Sequence, residues 1–149
     1  MAYILTTIVV WVVFLLLVPF NQWRKYYPTI IFAALLGTVS DLFGVVFKQW
    51  VYYGPVVGNL SLWSDLGIAP AEGGIFIRLY PKTKHCLYKI GYLMLWTIGN
   101  AFFEWYFVRV GWIGYNQWNP FRAWLFYVFF FSLIWVQEYW YNGTKRLKE

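Results

Sequence analysis

Residues 2–20, AYILTTIVVWVVFLLLVPF, carry no charged side chain. This run constrains the fold more than any other feature of the chain. An α-helix rises about 1.5 Å per residue, so the run is long enough to cross the ~30 Å hydrocarbon core of a bilayer. It lacks a positively charged start and a small-residue cleavage site, and so reads as a retained helix rather than a signal peptide.

Four more apolar runs follow, at 29–47, 60–80, 86–110 and 123–141. Pro28 is expected in the first turn of the second helix, where its missing N–H is not needed. The chain is 61% hydrophobic and 12% charged, against roughly 45–50% and 25% in soluble domains. Eleven Trp, thirteen Tyr and fourteen Phe exceed what a soluble core of this size can use. Aromatic rings collect where water meets lipid. The expected fold is an all-α polytopic membrane bundle, one domain over 1–149 with five transmembrane helices. The alternative is four helices with one interfacial or re-entrant segment. The run at 60–80 is the least regular, since Gly67, Pro70, Gly73 and Gly74 interrupt it. It is expected to be kinked or partly unwound at Pro70 and shielded from lipid by its neighbours.

The basic residues set an orientation. Arg24 and Lys25 follow the first run, Arg78, Lys82, Lys84 and Lys89 surround the turn after the third, and Lys145, Arg146 and Lys148 follow the fifth. If all five runs cross, these nine of the twelve basic residues share one side, leaving Lys48, Arg109 and Arg122 on the other. Positive residues favour the cytoplasmic face. The expected topology is a plasma-membrane protein with its N-terminus outside and its C-terminus cytoplasmic. The net charge of +6 then anchors the chain at a lipid bilayer, and no nucleic-acid partner is implied.

Other chemistry is excluded by count. One cysteine, Cys86, rules out an internal disulfide and a cysteine metal cluster. One histidine, His85, rules out a histidine pair for zinc; it reads as a headgroup contact. There is no Gly-rich phosphate loop and no GxSxG. No cofactor or metal is implied. The aromatic stripe from Trp124 to Trp140 reads as a packing and lipid-facing surface.

Five of the six acids nevertheless fall inside the apolar runs: Asp41, Asp65, Glu72, Glu104 and Glu138. A charge at the bilayer centre costs about 2.5–3.5 kcal/mol on insertion scales, so such residues face the interior and find partners. Gly37, Asp41, Gly44 and Lys48 recur at steps of one helical turn, as do Thr97, Asn100 and Glu104, and Asp65, Ala69 and Glu72 share a face. The glycines let a neighbouring chain segment approach Asp41. The expected site is a polar pocket in the outer half, lined by Asp41, Asp65, Asn100 and Glu104, with Lys48 and Arg109 as counter-charges. Glu138 is expected near the cytoplasmic end, served by Lys145 or water.

The segments FFEWYFVRVGWIGYNQWNPFRAWLFY and WRKYYPTIIFAALLGTVSDL resemble a largely uncharacterised family of small multi-pass membrane proteins of spore-forming Firmicutes. The late segment carries the more specific residues, Glu104, Trp105, Gly111, Tyr115, Trp118 and Asn119. Residues 54–80 match poorly. The resemblance implies a plasma-membrane bundle in a Gram-positive bacterium, and neither a reaction nor a substrate.

Three functions fit. The first is an accessory or scaffold subunit of a membrane complex, acting with a membrane-protein partner or as a homo-oligomer. The second is a binding or transport module for a cation, proton or small polar solute in the acidic pocket. The third is a lipid-modifying membrane enzyme. No nucleophile or substrate is fixed by the sequence, so the reading leans away from an enzyme.

Overall fold

A computed structural model describes residues 2–53, 56–57, 60–82 and 84–146, with the side chains of 143–146 left aside. Five α-helices make up most of it: α1 (Ala2–Leu17), α2 (Trp23–Val46), α3 (Ala69–Leu79), α4 (Cys86–Arg109) and α5 (Pro120–Arg146). Two short strands, β1 (Trp50–Tyr52) and β2 (Ile113–Tyr115), pair antiparallel. The fold is all-α apart from this ribbon. Two helical stretches, Phe20–Val46 and Pro120–Asn142, are long and apolar enough to cross a membrane. Helix α1 is apolar but shorter, and α4, long enough, is diluted by Tyr, Trp, Gly and Asn as well as Glu104.

Several element bounds differ from the sequence reading for local reasons. Helix α2 begins at Trp23, six residues early, because a 3-10 turn over Phe20–Gln22 feeds directly into it. Pro28 is therefore inside the helix rather than in its first turn. It sacrifices one bond, to the carbonyl of Arg24, close to the helix start. Helix α5 begins at Pro120 rather than at 123. Asn119 caps it by accepting the Arg122 amide at 2.9 Å, and proline is well suited to the first helical position. His85 caps α4, its Nδ1 accepting the Leu87 amide at 3.4 Å.

The irregular third run is helical over 63–79 and occupies the centre of the bundle, packed by α1, α2 and α5. Pro70, Ala71, Gly73, Gly74, Ile75, Phe76 and Ile77 are all buried. The chain is not unwound at Pro70. A π-helical turn over Trp63–Ile68 precedes it, with the Ala69 amide reaching back five residues to the Ser64 carbonyl. Proline has no N–H to give and its ring crowds the preceding turn, and the wider π winding accommodates both defects.

Small residues let α3 sit this deep. The buried stripe of α2 is Tyr26, Thr29, Ala33, Gly37, Asp41 and Gly44, one residue per turn. A Cβ added at Gly73 would lie 2.7 Å from the Cβ of Ala33, and one at Gly37 would lie 3.2 Å from that of Ala69. The pairs Ala33/Gly37 and Ala69/Gly73, each four residues apart, thus face each other, and close backbone approach replaces side-chain packing. Below this seam a core of Phe14, Val18, Phe76, Ile77, Phe131 and Ile134 is almost fully buried. Outside it the surface is apolar: Leu5, Val12 and Leu16 on α1, Leu35 and Phe43 on α2, Leu95 and Phe102 on α4, and Phe129 and Val136 on α5 are exposed.

Candidate functional site: an acidic cavity under a two-stranded cover

The ribbon forms where α2 and α4 end. Its register is Trp50↔Tyr115, Val51↔Gly114 and Tyr52↔Ile113. Side chains alternate across a strand, so Trp50, Tyr52, Ile113 and Tyr115 share one face. That face looks down onto the bundle. Tyr52 donates its hydroxyl to Asp41 Oδ1 at 2.7 Å, and Tyr115 donates to Glu104 Oε1 at 2.6 Å. Burial, then the neighbouring carboxylate, holds both phenols above the ordinary tyrosine range. They remain donors. Tyr3 ties α1 to the same cover by donating to the Trp112 carbonyl at 3.3 Å.

Beneath the cover lies a cavity of about 360 Å³. Asp41, Asp65, Glu72 and Glu104 all line it, while among the described residues no lysine, arginine or histidine does. Four of the chain's six acids therefore converge from three helical segments. The remaining wall is largely aromatic, with Tyr3, Phe103, Phe107, Tyr127, Phe130 and Phe131 among its members.

The four carboxyls differ in their partners. Glu104 is fully engaged: Oε1 accepts from Tyr115 and from Trp118 Nε1 (3.2 Å), and Oε2 accepts from the Tyr127 hydroxyl at 2.7 Å. Asp41 accepts from Tyr52, and its Oδ2 is buried with no donor at hydrogen-bond geometry, although the Trp50 indole N–H, itself buried without an acceptor, is close by. Asp65, 2% exposed, also has a buried Oδ2 with no donor. The carboxyls of Asp41 and Asp65 lie within hydrogen-bonding reach of one another. Two such groups are acceptors only when ionised, so they repel unless a proton or another positive group lies between them. Glu72 accepts no hydrogen bond from any described residue. Among the described residues no group of three or more His, Cys, Asp or Glu is arranged to hold a metal ion.

Asp41, Asp65, Asn100 and Glu104, the residues the sequence pointed to, all line this one cavity, Asn100 with its amide donated to the Trp96 carbonyl at 3.1 Å. The expected counter-charges do not. Helix α2 stops at Val46, and Lys48 has left its face, exposed with a left-handed backbone at φ 52°. Arg109 follows Glu104 by five residues, some 140° around the helix at about 100° per residue. Its guanidinium stacks on Trp105, 5.2 Å from the ring centroid. The only ion pair among the described residues is Lys82 with Glu138, 3.7 Å apart, at the other end of the bundle. Lys145, the expected partner of Glu138, has a side chain outside the described set.

Glu72 and the donors Tyr52, Tyr115, Trp118 and Tyr127 were missed. Glu72 was within reach, sharing a face with Asp65. The aromatic donors had only a weak signal, because Trp and Tyr are expected in interface loops for other reasons. The α5 stripe is a packing and outward-facing surface as expected, and its packed side, with Phe126, Tyr127, Phe130 and Phe131, also forms part of the cavity wall. Comparison with family models, curated proteins and solved structures finds no match.

Proposed function

We propose that this chain is a small membrane-embedded binding protein whose acidic cavity takes a positively charged occupant. The observation that carries this reading is a cavity lined by four carboxyl residues and no basic one. Buried charge without a partner is expensive. An occupant that supplies positive charge relieves that cost. The membrane setting, with five crossings, an outside N-terminus and a cytoplasmic C-terminus, belongs to the same proposal. It draws support from the apolar exterior, the two membrane-length helices and the side-wise distribution of basic residues. Kinship with the small multi-pass proteins of spore-forming Firmicutes is part of it and rests on the sequence segments alone.

The test is a thermal melt of the detergent-solubilised protein over increasing Na+, K+ and ammonium concentrations at constant ionic strength. A ligand that binds only the folded state raises the melting temperature with its concentration. A saturable rise with at least one of these cations is expected, reduced in Asp41→Asn and Asp65→Asn. No cation-dependent shift in the parent protein overturns the reading.

A second reading, an accessory or scaffold subunit, is favoured by α4. This helix packs along its length on α5 and fully buries only Thr97, leaving an outer face with Leu87, Leu95, Ile98 and Phe102 exposed. Its test is a stoichiometric complex that survives mild detergent and is lost when α4 surface residues such as Leu95 and Phe102 are made polar.

A further inference from the structure

The cavity's wall and its opening say more about the occupant than its charge alone. Leu5 and Val9 of α1 and Phe103 of α4 line the cavity, yet they are 64%, 53% and 61% exposed on the bundle's apolar exterior. Helices α1 and α4 meet near the ribbon, where the rings of Tyr3 and Phe107 are 5.6 Å apart, and are not closely packed along the rest of their length. The cavity therefore opens sideways between α1 and α4, onto the apolar surface. At the ribbon end it is covered by Trp50, Tyr52 and Ile113.

Its interior is divided. At the inner end, Asp41 Oδ2 and Asp65 Oδ2 are buried acceptors without donors. At the opening the wall is aliphatic and aromatic, with the exposed Leu5, Val9 and Phe103. A bare metal ion needs a shell of several oxygens at short range, and among the described residues no three His, Cys, Asp or Glu side chains are gathered to begin one. About 360 Å³ is within the range of pockets that hold small organic molecules. Two facing acceptors call for N–H donors, and aromatic rings attract cations through their faces.

Resting on the binding reading above, we infer that the occupant is an amphiphilic organic ammonium. Its protonated amine donates to the free oxygens of Asp41 and Asp65 from the cavity side, and its apolar body lies along the α1–α4 opening, through which it arrives from the lipid phase. A zwitterionic phospholipid head fits poorly, because the lining has no basic side chain to meet its phosphate.

The experiment uses the full chain in phosphatidylcholine nanodiscs, with quenching of intrinsic tryptophan fluorescence as the signal; Trp50 and Trp118 lie in the cavity wall. Three probes of equal chain length are titrated: dodecylammonium, dodecyltrimethylammonium and dodecanol. Dodecylammonium is expected to bind saturably, at least about tenfold tighter than the trimethyl analogue, which has the charge but no N–H to donate. Dodecanol is expected to show only non-saturable partitioning. Asp65→Asn should weaken dodecylammonium binding by about tenfold or more, and Lys48→Gln, which is outside the lining, should not change it. The ligand series needs no variant, so a misfolded Asp65→Asn leaves the test standing. Equal responses to the three probes overturn the inference, as does unchanged binding in a folded Asp65→Asn. Saturable stabilisation by Na+ or K+ with no dodecylammonium binding ends this inference and keeps the binding reading. No response to any cation ends both.

Discussion

The bundle buries acids at both ends, and it treats them differently. At the end away from the ribbon, Glu138 is 5% exposed and fully served. Thr29 donates to its Oε2 at 2.8 Å, Asn142 donates to Oε1, and Lys82 is 3.7 Å away. Beneath the ribbon, Asp65 is 2% exposed and Asp41 7%, and each keeps an oxygen without a donor and without a cation in the lining. Burial is nearly equal. The difference lies in the partners. A buried acid with donors and a counter-charge acts as a fastener between helices, here α2, α5 and the turn before α4. A buried acid set against another acid in a cavity wall costs stability and is retained for something else.

The largest expected effect of a single substitution is at the served end. Glu138→Ala removes the acceptor of Thr29, whose side chain is fully buried, and leaves that hydroxyl only Gln137 at 3.2 Å. A stability loss of about 1–3 kcal/mol is expected in detergent unfolding. The double change Thr29→Val with Glu138→Leu should recover most of it, because it removes the buried hydroxyl together with its acceptor, while Asn142, Gln137 and Lys82 are open enough to turn to water. Indifference to Glu138→Ala would erase the distinction between the two ends.

The next effects separate the acids within the cavity. Tyr52→Phe takes from Asp41 its one short hydrogen bond, leaving only the more distant Trp50 N–H, and should cost about 1–2 kcal/mol. Tyr115→Phe leaves Glu104 with Trp118 and Tyr127, and should cost less than about 1 kcal/mol. Equal losses would mean that the number of donors does not rank these carboxyls. The same two phenols predict an alkaline weakness. Burial and the adjacent carboxylates hold their folded pKa values up, so the unfolded chain ionises first, near pH ~10. Their contribution is whole below that pH and declines as pH rises above it. Melting temperature should fall there, and fall less in Tyr52→Phe/Tyr115→Phe.

How much of this was legible beforehand depended on what each feature is made of. Helical periodicity is local, so Asp41 beside Gly37 on α2, and Asn100 beside Glu104 on α4, could be placed on inward faces from spacing alone. Counter-charges were assigned from the same spacing and went astray. Lys48 fell off its face because α2 ended two residues before it, and a helix end is set by the turn that follows. Arg109 was near Glu104 in sequence but points elsewhere around the helix. The ribbon was the main omission. WVY and IGY are three residues each and are separated by the π turn, α3 and α4, so no local pattern announces their pairing. The donors of Asp41 and Glu104 sit on that ribbon. The π turn was half visible: the glycines and Pro70 marked an irregular segment, but only packing against α1 and α2 decides how the irregularity is wound.

The smallest expected change in stability is the most informative. Asp65→Asn keeps the size and shape of the side chain, removes one of two facing acids and supplies an N–H toward Asp41. Stability should be unchanged or rise by about 0.5–1.5 kcal/mol, the net worth of an ordinary hydrogen bond. The cation-dependent rise in melting temperature should shrink in the same protein. A fastening residue cannot give that combination, since Glu138 loses stability when its carboxylate is removed and has no ligand response to lose. If instead Asp65→Asn costs as much as Glu138→Ala, the two ends are alike. Asp65 is then a structural acid with its proton shared toward Asp41, and the cavity is a packing defect beside the π turn rather than a site.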